Sequence, residues 1–242
     1  MSPSSFGILS KLRKMFGRSN EPICNNKVSL MNFLLKYSGG KKYLEIGVLT
    51  GKTIARVEAR LKVGIDPEFK FHLLDENLKR KIDVGTVFLE MTSDEFFKIN
   101  KTKFDVIFID GLHLYEQAMK DTLNALNSLN RRGIIVLHDC NPRSEMSGNR
   151  KRLAPGWSGD VWKVIYDLKE NYSDSIRYFT LDIETGLGIV LKNTHSEFEV
   201  KYKKEYLKLP YSTLEKDRKN ILHLVDVEHF KTFFNKLNIG SV

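Results

Sequence analysis

The stretch YLEIGVLTGKT, residues 43–53, decides how the fold is read. Its first half predicts a buried strand, and Gly47 and Gly51 predict a tight turn at the end of that strand. A phosphate-binding P-loop needs four residues between its first glycine and the Gly-Lys pair, because a run of backbone N–H groups must wrap the phosphate. Only three residues separate Gly47 from Gly51. The spacing argues against a P-loop, although an alternative with Lys52 on a nucleotide phosphate stays open.

Strands and helices alternate along the next 90 residues or so. Apolar runs that predict buried strands lie at 43–48, 62–66, 85–90, 104–110 and 133–138. The helical patterns between them cover 51–61, about 72–81, 93–99 and 114–130. This alternation predicts right-handed crossovers and a parallel, doubly wound α/β sheet of Rossmann-like type. A helix at 159–171 then precedes two strands, at 176–182 and 187–192, whose connection DIETG suits an antiparallel hairpin.

Three segments divide the chain. Residues 1–26 form a basic leader, in which FGILSKLRKMFGR (6–18) has the helical spacing that suits contact with an anionic membrane or a partner. A frayed and solvated leader is the favoured alternative, as is usual for chain termini. Residues 27–192 form the α/β domain, and residues 193–242 form a helical, basic C-terminal extension.

The net charge of +9 raises the question of nucleic-acid binding. Residues 1–42 hold eight Lys or Arg and one acid, whereas residues 43–192 hold 22 of each sign. Binding to a phosphate backbone needs a basic surface on the binding module itself. The charge distribution therefore argues against nucleic acid and favours a small-molecule ligand.

The composition, with 41% hydrophobic and 29% charged residues, is that of a folded domain. No stretch reaches the ~18 uninterrupted apolar residues of a membrane span, and the N-terminus lacks the apolar region of a secretory signal. Cys24 and Cys140 form neither a disulfide framework nor a zinc-binding spacing. We therefore expect a cytoplasmic location, and the sequence leaves the oligomeric state open.

Two acidic residues favour a nucleoside ligand. Glu45 lies inside the first predicted strand, and Asp66 ends the second. Nucleoside-binding α/β folds place a carboxylate at this second position to accept hydrogen bonds from the ribose hydroxyls. A dinucleotide would also require G-x-G-x-x-G, whereas the turn here reads E-x-G-x-x-x-G. The pattern predicts a nucleoside without a pyrophosphate.

The sequence resembles the class I S-adenosylmethionine-dependent methyltransferases over about residues 40–192. Five segments match their motifs in order: YLEIGVLTGKT, VGIDP, MTSDEFF, FDVIFIDGLHLYEQAMKD and RGIIVLHDCNP. The resemblance is closest to a subgroup with IDG-x-H-x-Y-E after the fourth strand and HD after the fifth. That subgroup is similar to sugar and natural-product O-methyltransferases, some of them magnesium-dependent. The resemblance implies a seven-stranded sheet whose last two strands form the hairpin.

S-adenosylmethionine is the cofactor that this resemblance implies. The implied cofactor-binding residues are Glu45, Gly47, Gly51, Asp66, Thr92, Ser93 and Asp110. The glycines would admit the methionine part, the glutamate would support the turn or the methionine amino group, and Asp66 would bind the ribose. Thr92 and Ser93 would lie beside the adenine. Each role has a structural alternative. The glycines could serve only a tight turn, the glutamate could be a buried structural carboxylate, and Asp66, Thr92 or Ser93 could cap a helix.

Asp110 and Asp139 end adjacent parallel strands, which places both carboxylates at one edge of the sheet. Two hard oxygen ligands there could hold Mg²⁺ or another divalent cation, with His113, His138 or Asn141 completing the site. A bound metal would lower the pKa of an acceptor hydroxyl. Without a metal, His113 is the best general base, because its ordinary pKa of ~6.5 suits neutral pH.

A long loop after the fifth strand, NPRSEMSGNRKRLAPGWSGDVWK (141–163), is a candidate for acceptor binding. It carries Trp157 and Trp162. The basic residues of this loop are Arg143, Arg150, Lys151 and Arg152. We expect it to close over the acceptor with a tryptophan ring against a sugar face and basic residues toward an anionic group. Packing in the core is the favoured alternative for Trp162.

The leading hypothesis is an enzyme that transfers a methyl group from S-adenosylmethionine to the hydroxyl of a small molecule or sugar, with possible help from Mg²⁺. A methyltransferase with a histidine base and no metal is the first alternative. The others are a P-loop-like nucleotide-binding protein and a catalytically silent, cofactor-binding scaffold.

Overall fold

Eight β-strands form one sheet among residues 25–153 and 155–230, which are the residues that this computed structural model describes. The strands are β1 (Lys42–Ile46), β2 (Leu61–Asp66), β3 (Thr86–Glu90), β4 (Phe104–Ile109), β5 (Leu129–Leu137), β6 (Ile176–Leu181), β7 (Leu187–Lys192) and β8 (Leu224–Val225). Their order across the sheet is β3-β2-β1-β4-β5-β7-β6-β8.

Strand β7 is antiparallel to both of its neighbours, and every other pair in the sheet is parallel. This arrangement confirms the predicted doubly wound α/β fold and the hairpin of β6 and β7. The predicted count of seven strands is wrong by one. The additional strand, β8, has only two residues, which is too short to show an alternating pattern in the sequence.

Six α-helices that lie wholly within the described residues accompany the sheet. They are α1 (Lys27–Ser38), α2 (Glu76–Lys79), α3 (Ser93–Ile99), α4 (Tyr115–Asn127), α5 (Trp162–Tyr172) and α6 (Tyr211–Leu222). Short 3₁₀ helices lie at Ile54–Arg56, Phe71–Leu73 and Lys204–Lys208. The predicted helices at 93–99, 114–130 and 159–171 are therefore present, with ends shifted by up to three residues.

The helix predicted at 51–61 is wrong, because only the 3₁₀ segment Ile54–Arg56 forms there. The side chain of Asn32 on α1 accounts for the difference. Its amide nitrogen donates to the Arg56 carbonyl oxygen at 3.2 Å, and its oxygen accepts the Glu58 backbone N–H at 2.8 Å. These bonds replace the helical partners of both groups, and Val57 between them is extended.

Both faces of the sheet are covered, as the apolar strands predict. Along β4 the side chains alternate, so that Val106 and Phe108 pack in the core with α1, whereas Ile107 and Ile109 pack in the core with α4 and α5. All four side chains are almost fully buried. Buried strands of this kind are rigid supports for the residues that follow their ends.

The two ends of the strands form two edges of the sheet that carry different side chains. The carboxyl edge is formed by residues at or just after the ends of the parallel strands, which are Gly47, Asp66, Asp110 and Asp139. The amino edge, at the opposite side, is formed by Lys103, the start of β5 at 129–133, Arg177 and Lys192.

The C-terminal segment adds α6 and β8 to this sheet, with Thr180 of β6 in register with Leu224. The extension predicted to be helical thus contains α6, which ends at Leu222, because His223 takes a left-handed conformation with φ of 46°. The amphipathic pattern at 6–18 lies outside the described residues. Within them, no helix combines the length and the apolar character needed to cross a membrane. The domain limits at 26 and 192 stay predictions.

Candidate active site

The turn after β1 is held by its neighbours on both sides. Gly47 has φ of 87°, and a Cβ atom there would lie 2.1 Å from the carbonyl oxygen of Asp110, so only glycine fits. Leu49 also has a positive φ, of 47°, and its N–H donates to Asp66 at 2.8 Å. Gly51 has φ of 82°. The turn is thereby fixed against the ends of β2 and β4.

The geometry of this turn argues against the P-loop alternative. A P-loop leads into the N-terminus of an α-helix, whose free N–H groups bind the phosphate. Here the turn leads into the three-residue 3₁₀ segment Ile54–Arg56, and Lys52 is exposed. The structure therefore lacks the helix terminus on which phosphate binding at this turn would depend.

Glu45 is a buried carboxyl group directly below the turn, with a relative exposure of 1%. The Tyr43 hydroxyl donates to it at 2.7 Å. Burial raises the pKa of Glu45 to about 8, and this effect outweighs the hydrogen bond from Tyr43. Burial therefore favours the protonated form of Glu45, although the nearby Lys27 acts in the opposite direction.

Asp66, Thr92 and Ser93 all lie at the carboxyl edge, as the sequence predicts. The two carboxylate oxygens of Asp66 accept the backbone N–H groups of Leu49 and Glu68 at 2.8 and 2.9 Å. Thr92 is the N-cap of α3, and Ser93 accepts a hydrogen bond from Gln117 at 3.2 Å. The structural roles considered for these residues are thus present, and their contacts with ribose and adenine stay predictions.

Asp110, His113, His138 and Asp139 meet at the ends of β4 and β5. The nitrogen Nε2 of His113 lies 3.5 Å from Asp110, and its Nδ1 lies 3.2 Å from Asp139. The nitrogen Nδ1 of His138 lies 3.2 Å from Asp110 and 3.1 Å from Asp139. Asp139 has φ of 62°, a left-handed conformation that aspartate tolerates better than most residues. The residues predicted to carry the chemistry are therefore brought together.

Lys27 and Glu184 complete this cluster, and sequence reasoning missed both. The Lys27 ammonium lies 3.0 Å from Asp110, and its backbone N–H donates to Glu184 at 2.9 Å. Glu184 also lies 3.0 Å from Nε2 of His138. Glu184 belongs to the predicted hairpin turn DIETG, but the hairpin alone does not indicate at which end of the sheet that turn lies. No comparable signal in the sequence marks Lys27.

The electrostatics of the cluster follow from burial opposed by ion pairing. Burial alone would raise the pKa of Asp110, but its close contacts with the rings of His113 and His138 hold that pKa well below its usual range. Burial alone would lower the pKa of His138, but Asp110, Asp139 and Glu184 raise it to about 11. Asp110 and Asp139 also raise the pKa of His113 against its burial. The acids are thus ionised, and His138 is a cation at neutral pH.

The repulsion expected between Asp110 and Asp139 is therefore relieved by side chains of the protein itself. The ring nitrogen Nδ1 of His138 lies between the two carboxylates at ion-pair distance but has hydrogen-bond geometry to neither. Single donor atoms of Asp110, His113 and Asp139 all lie within 4.8 Å of one another, so these three residues fit a divalent cation. Lys27 and His138 would compete with such a cation for the same oxygens.

The loop after β5 reaches this cluster through Trp157. The indole ring stacks on the His113 ring with 5.2 Å between centroids and 24° between planes. The backbone carbonyl of Trp157 lies 3.0 Å from Nδ1 of His113. Arg150 anchors the same loop by pairing with Glu116 and with buried Asp160, each at 2.7 Å. Trp157 therefore lies beside the cluster, and its contact with a sugar face stays a prediction.

The other loop residues depart from the expectation. Trp162 is 1% exposed and packs in the core at the start of α5, which was the favoured alternative for this residue. Arg150 is paired as described, and Arg143 pairs with Asp182 at 2.7 Å. These two arginines are thus engaged within the protein, whereas Lys151 and Arg152 are exposed, and the contact of basic residues with an anionic group stays a prediction.

Comparison with known proteins identifies the class of domain. Residues 44–140 match the family model described as a methyltransferase domain. This range runs from β1 to the residue after Asp139, so it contains the turn, Asp66 and four members of the cluster, Asp110, His113, His138 and Asp139. Together with the fold, the match confirms the resemblance of this chain to class I S-adenosylmethionine-dependent methyltransferases.

Solved structures share this fold at low sequence identity. The methyltransferase PaMTH1 of Podospora anserina, bound to S-adenosylhomocysteine, is 17% identical with a TM-score of 0.56, over 80% of this chain and 89% of that one. A putative O-methyltransferase from Klebsiella pneumoniae is 15% identical with a TM-score of 0.54, over 78% and 97%. The O-methyltransferase TomG of Streptomyces achromogenes, in complex with S-adenosylmethionine, is 13% identical with a TM-score of 0.53, over 80% and 92%. Among curated sequences, none matches the chain.

Proposed function

We propose that this protein transfers the methyl group of S-adenosylmethionine to a hydroxyl group of a small molecule or sugar. The observation that carries the proposal is the position of His113 between Asp110 and Asp139, beside the glycine turn at the carboxyl edge. Ligands of doubly wound sheets bind at this edge. A cytoplasmic location belongs to the same proposal.

The cofactor would lie across the ends of β1, β2 and β3. Its methionine part would follow Gly47 and Gly51, and its ammonium group would approach Glu45 and lower the pKa of that carboxyl. Each oxygen of Asp66 accepts one backbone N–H, which leaves further lone pairs for the two ribose hydroxyls. The adenine would lie near Thr92.

His113 is suited to act as the general base. The Trp157 carbonyl can only accept a hydrogen bond, so Nδ1 of His113 carries the proton, and Nε2, which faces Asp110, is the basic nitrogen when His113 is neutral. In an in-line displacement, the acceptor oxygen bonds to the methyl carbon as the carbon–sulfur bond breaks, and Nε2 takes the hydroxyl proton. Asp110 and Asp139 then stabilise the imidazolium. The products are the methyl ether and neutral S-adenosylhomocysteine.

The acceptor would bind beside His113 and Trp157. An indole ring gives an apolar surface against which the face of a sugar ring can pack. The loop that carries Trp157 would close over the acceptor, with exposed Lys151 and Arg152 nearest to an anionic group. Identical cleavage of this loop by a protease with and without saturating cofactor and acceptor would contradict such closure.

A divalent cation held by Asp110, His113 and Asp139 is a second means of activating the hydroxyl. When bound, a metal of this kind lowers the pKa of a coordinated oxygen. The observation that favours it is the convergence of the three donors within 4.8 Å. Turnover by wild type in chelator would assign the chemistry to His113 alone, whereas loss in chelator and recovery with Mg²⁺ or Mn²⁺ would assign it to the metal. Mn²⁺ binding measured by electron paramagnetic resonance gives a readout that is independent of activity.

Calorimetry with S-adenosylmethionine, S-adenosylhomocysteine and ATP tests the cofactor. We expect the first two to bind and Asp66→Ala to weaken their binding by about 1.5 to 3 kcal/mol, the range for hydrogen bonds to a charged group. Asp75→Ala, which removes an exposed cap of α2, is the control and should bind normally. Binding of ATP without the sulfonium would overturn the proposal.

Transfer of a labelled methyl group to a panel of sugars and phenols tests the reaction. Transfer that requires His113 or the metal supports an O-methyltransferase. Tight cofactor binding with no transfer to any acceptor would instead support a catalytically silent, cofactor-binding scaffold.

A further inference from the structure

A cavity of about 390 Å³ opens at the amino edge, on the side of the sheet away from the cluster of Asp110 and Asp139. Four separate segments build it: the start of β4, the start of β5, the start of β6, and the end of β7 with the residues that follow. Its volume is in the range of pockets that hold small ligands.

The lining of this cavity is strongly basic. Its cationic side chains are Lys103, Arg131, Arg132, Arg177 and Lys192, and His195 lies among them. Glu197 is the one carboxylate among the lining residues that the structure describes. The nearby Asp105 is engaged elsewhere, since it accepts the backbone N–H groups of Lys41 and Lys42. Among the described lining residues, lysine and arginine side chains therefore outnumber carboxylates by five to one in a concave space.

A bulge in β5 directs two of these cations toward the cavity. Phe104 of β4 is in register with Leu129, but Val106 is in register with Ile134. An advance of two residues along β4 therefore corresponds to an advance of five residues along β5. The extra residues include Arg131 and Arg132. Bulges of this kind redirect side chains and occur next to binding sites.

The walls of the cavity are fixed by hydrogen bonds. The side chain of Asn127 donates to the Phe198 carbonyl and accepts the Phe198 N–H, each at 2.8 Å. The N–H of Asn193 donates to Ser175 at 2.8 Å. Lys103 donates to the Asn127 carbonyl, and Lys192 lies 5.2 Å from the centroid of the Phe198 ring. The segment after β7 is thus held in place as one wall.

The cations also destabilise one another. Desolvation lowers the pKa of Lys192, and the neighbouring Lys103 lowers it further, against a smaller opposite effect of Glu197. A bound anion would relieve this repulsion.

We propose that this cavity binds a small phosphorylated molecule through its phosphate group. Arginine and lysine side chains that line one cavity are the usual phosphate ligands, because guanidinium groups bind phosphate oxygens in pairs and ammonium groups add point charge. The concave shape favours a small ligand over an extended polyanion, which would require a basic stripe. Methyl transfer at the carboxyl edge does not depend on this site.

Calorimetry with inorganic pyrophosphate and inorganic phosphate, at low ionic strength and without added metal, tests the proposal on the whole protein. We expect saturable binding by wild type and at least ~10-fold weaker binding by Arg131→Gln/Arg132→Gln, since charge-assisted bonds are lost. The control is Arg80→Gln/Lys81→Gln, which removes the same charge from exposed positions beside α2 and should bind as wild type does.

Equal weakening in both double variants, or no binding by wild type, would overturn the proposal, because the first result indicates nonspecific attraction to net charge. Binding to phosphatidic acid vesicles or to a single-stranded oligonucleotide, without pyrophosphate binding, would assign the basic surface to a membrane or nucleic acid and overturn it as well. Methyl transfer and circular dichroism identical to wild type will show that the Arg131→Gln/Arg132→Gln variant is folded.

Discussion

At the carboxyl edge the acids Asp110, Asp139 and Glu184 meet the basic side chains of Lys27, His113 and His138, with distances of 3.0 to 3.5 Å between partners. At the amino edge, five lysines and arginines and one carboxylate are found among the described residues that line the cavity. The same sheet supports both regions, yet acidic and basic groups meet closely in one, whereas cations outnumber carboxylates in the described lining of the other.

This difference in charge indicates a different function for each edge. Paired groups at the carboxyl edge hold defined protonation states and positions, which a proton transfer requires. Unbalanced cations at the amino edge gain stability when an anion arrives, which a binding site requires. Removing a charge should therefore be costly at the first edge and harmless or favourable at the second.

The largest effect should follow from His113→Ala, compared with His195→Ala at the amino edge. We expect methyl transfer to fall by about 10²- to 10⁴-fold in the first variant, as is usual when a general base is removed, and to be unchanged in the second. Rates with labelled S-adenosylmethionine, alongside its calorimetric affinity, separate catalysis from binding. Equal losses in the two histidine variants would remove the distinction between the edges.

The sequence predicted most of the carboxyl edge because its residues follow strands. A buried apolar strand that ends in an aspartate can be seen locally, and parallel pairing then brings Asp110 and Asp139 together. The partners from distant elements could not be seen. Lys27 reaches Asp110 from the start of α1, and Asn32 prevents the predicted helix at 51–61 through contacts that no local pattern records.

The basic cavity at the amino edge could not be predicted from the sequence, for a different reason. Residues 43–192 hold equal numbers of acidic and basic residues, so the charge count indicated a neutral domain. The basic cavity arises because Lys103, Arg131, Arg132, Arg177 and Lys192 are far apart in the chain and meet only through the order of the strands. A net charge gives no information on such a concentration of cations.

A large loss of stability is expected from Asp160→Asn, near the loop that carries Trp157. Asp160 is 1% exposed and pairs with Arg150 at 2.7 Å and with buried Lys163 at 3.1 Å. Breaking a buried pair leaves a cation without its partner, so we expect a loss of about 2 to 4 kcal/mol in urea unfolding. The control is Asp94→Asn, whose exposed pair with Lys120 should contribute less than ~1 kcal/mol. Similar losses in both variants would contradict this account.

Asp121 is an exception to the pairing of acids near the carboxyl edge, because it is 1% exposed and forms no ion pair with a described residue. Burial raises its pKa to about 6 despite hydrogen bonds from Ser93 and Gln117. A raised carboxyl pKa contributes stability that is complete below the unfolded value of ~3.9 and is lost as pH rises through about 6. Asp121→Asn should therefore match wild type near pH 4 and exceed it by up to ~3 kcal/mol at pH 7.5, since one pKa unit is ~1.4 kcal/mol. A pH-independent difference in urea unfolding would exclude titration of Asp121 as the cause.

The smallest expected effect is a gain in the stability of Arg131→Gln/Arg132→Gln. This gain is opposite in sign to the loss expected for Asp160→Asn. These arginines lie in the bulge of β5 beside Lys103 and Lys192, so removing them lowers the repulsion among like charges. Exposed charges in water interact weakly, and we expect a gain of about 0.5 kcal/mol in low salt. Salt at ~1 M shortens the screening length to ~3 Å and should abolish the gain.

Pyrophosphate should make wild type more stable than the double variant, because a ligand stabilises only the protein that binds it. Thermal unfolding of both proteins under the three conditions measures these differences, with Arg80→Gln/Lys81→Gln as the control. A loss of stability in low salt would show that the two arginines are structural, and the contrast between the two edges would then fail.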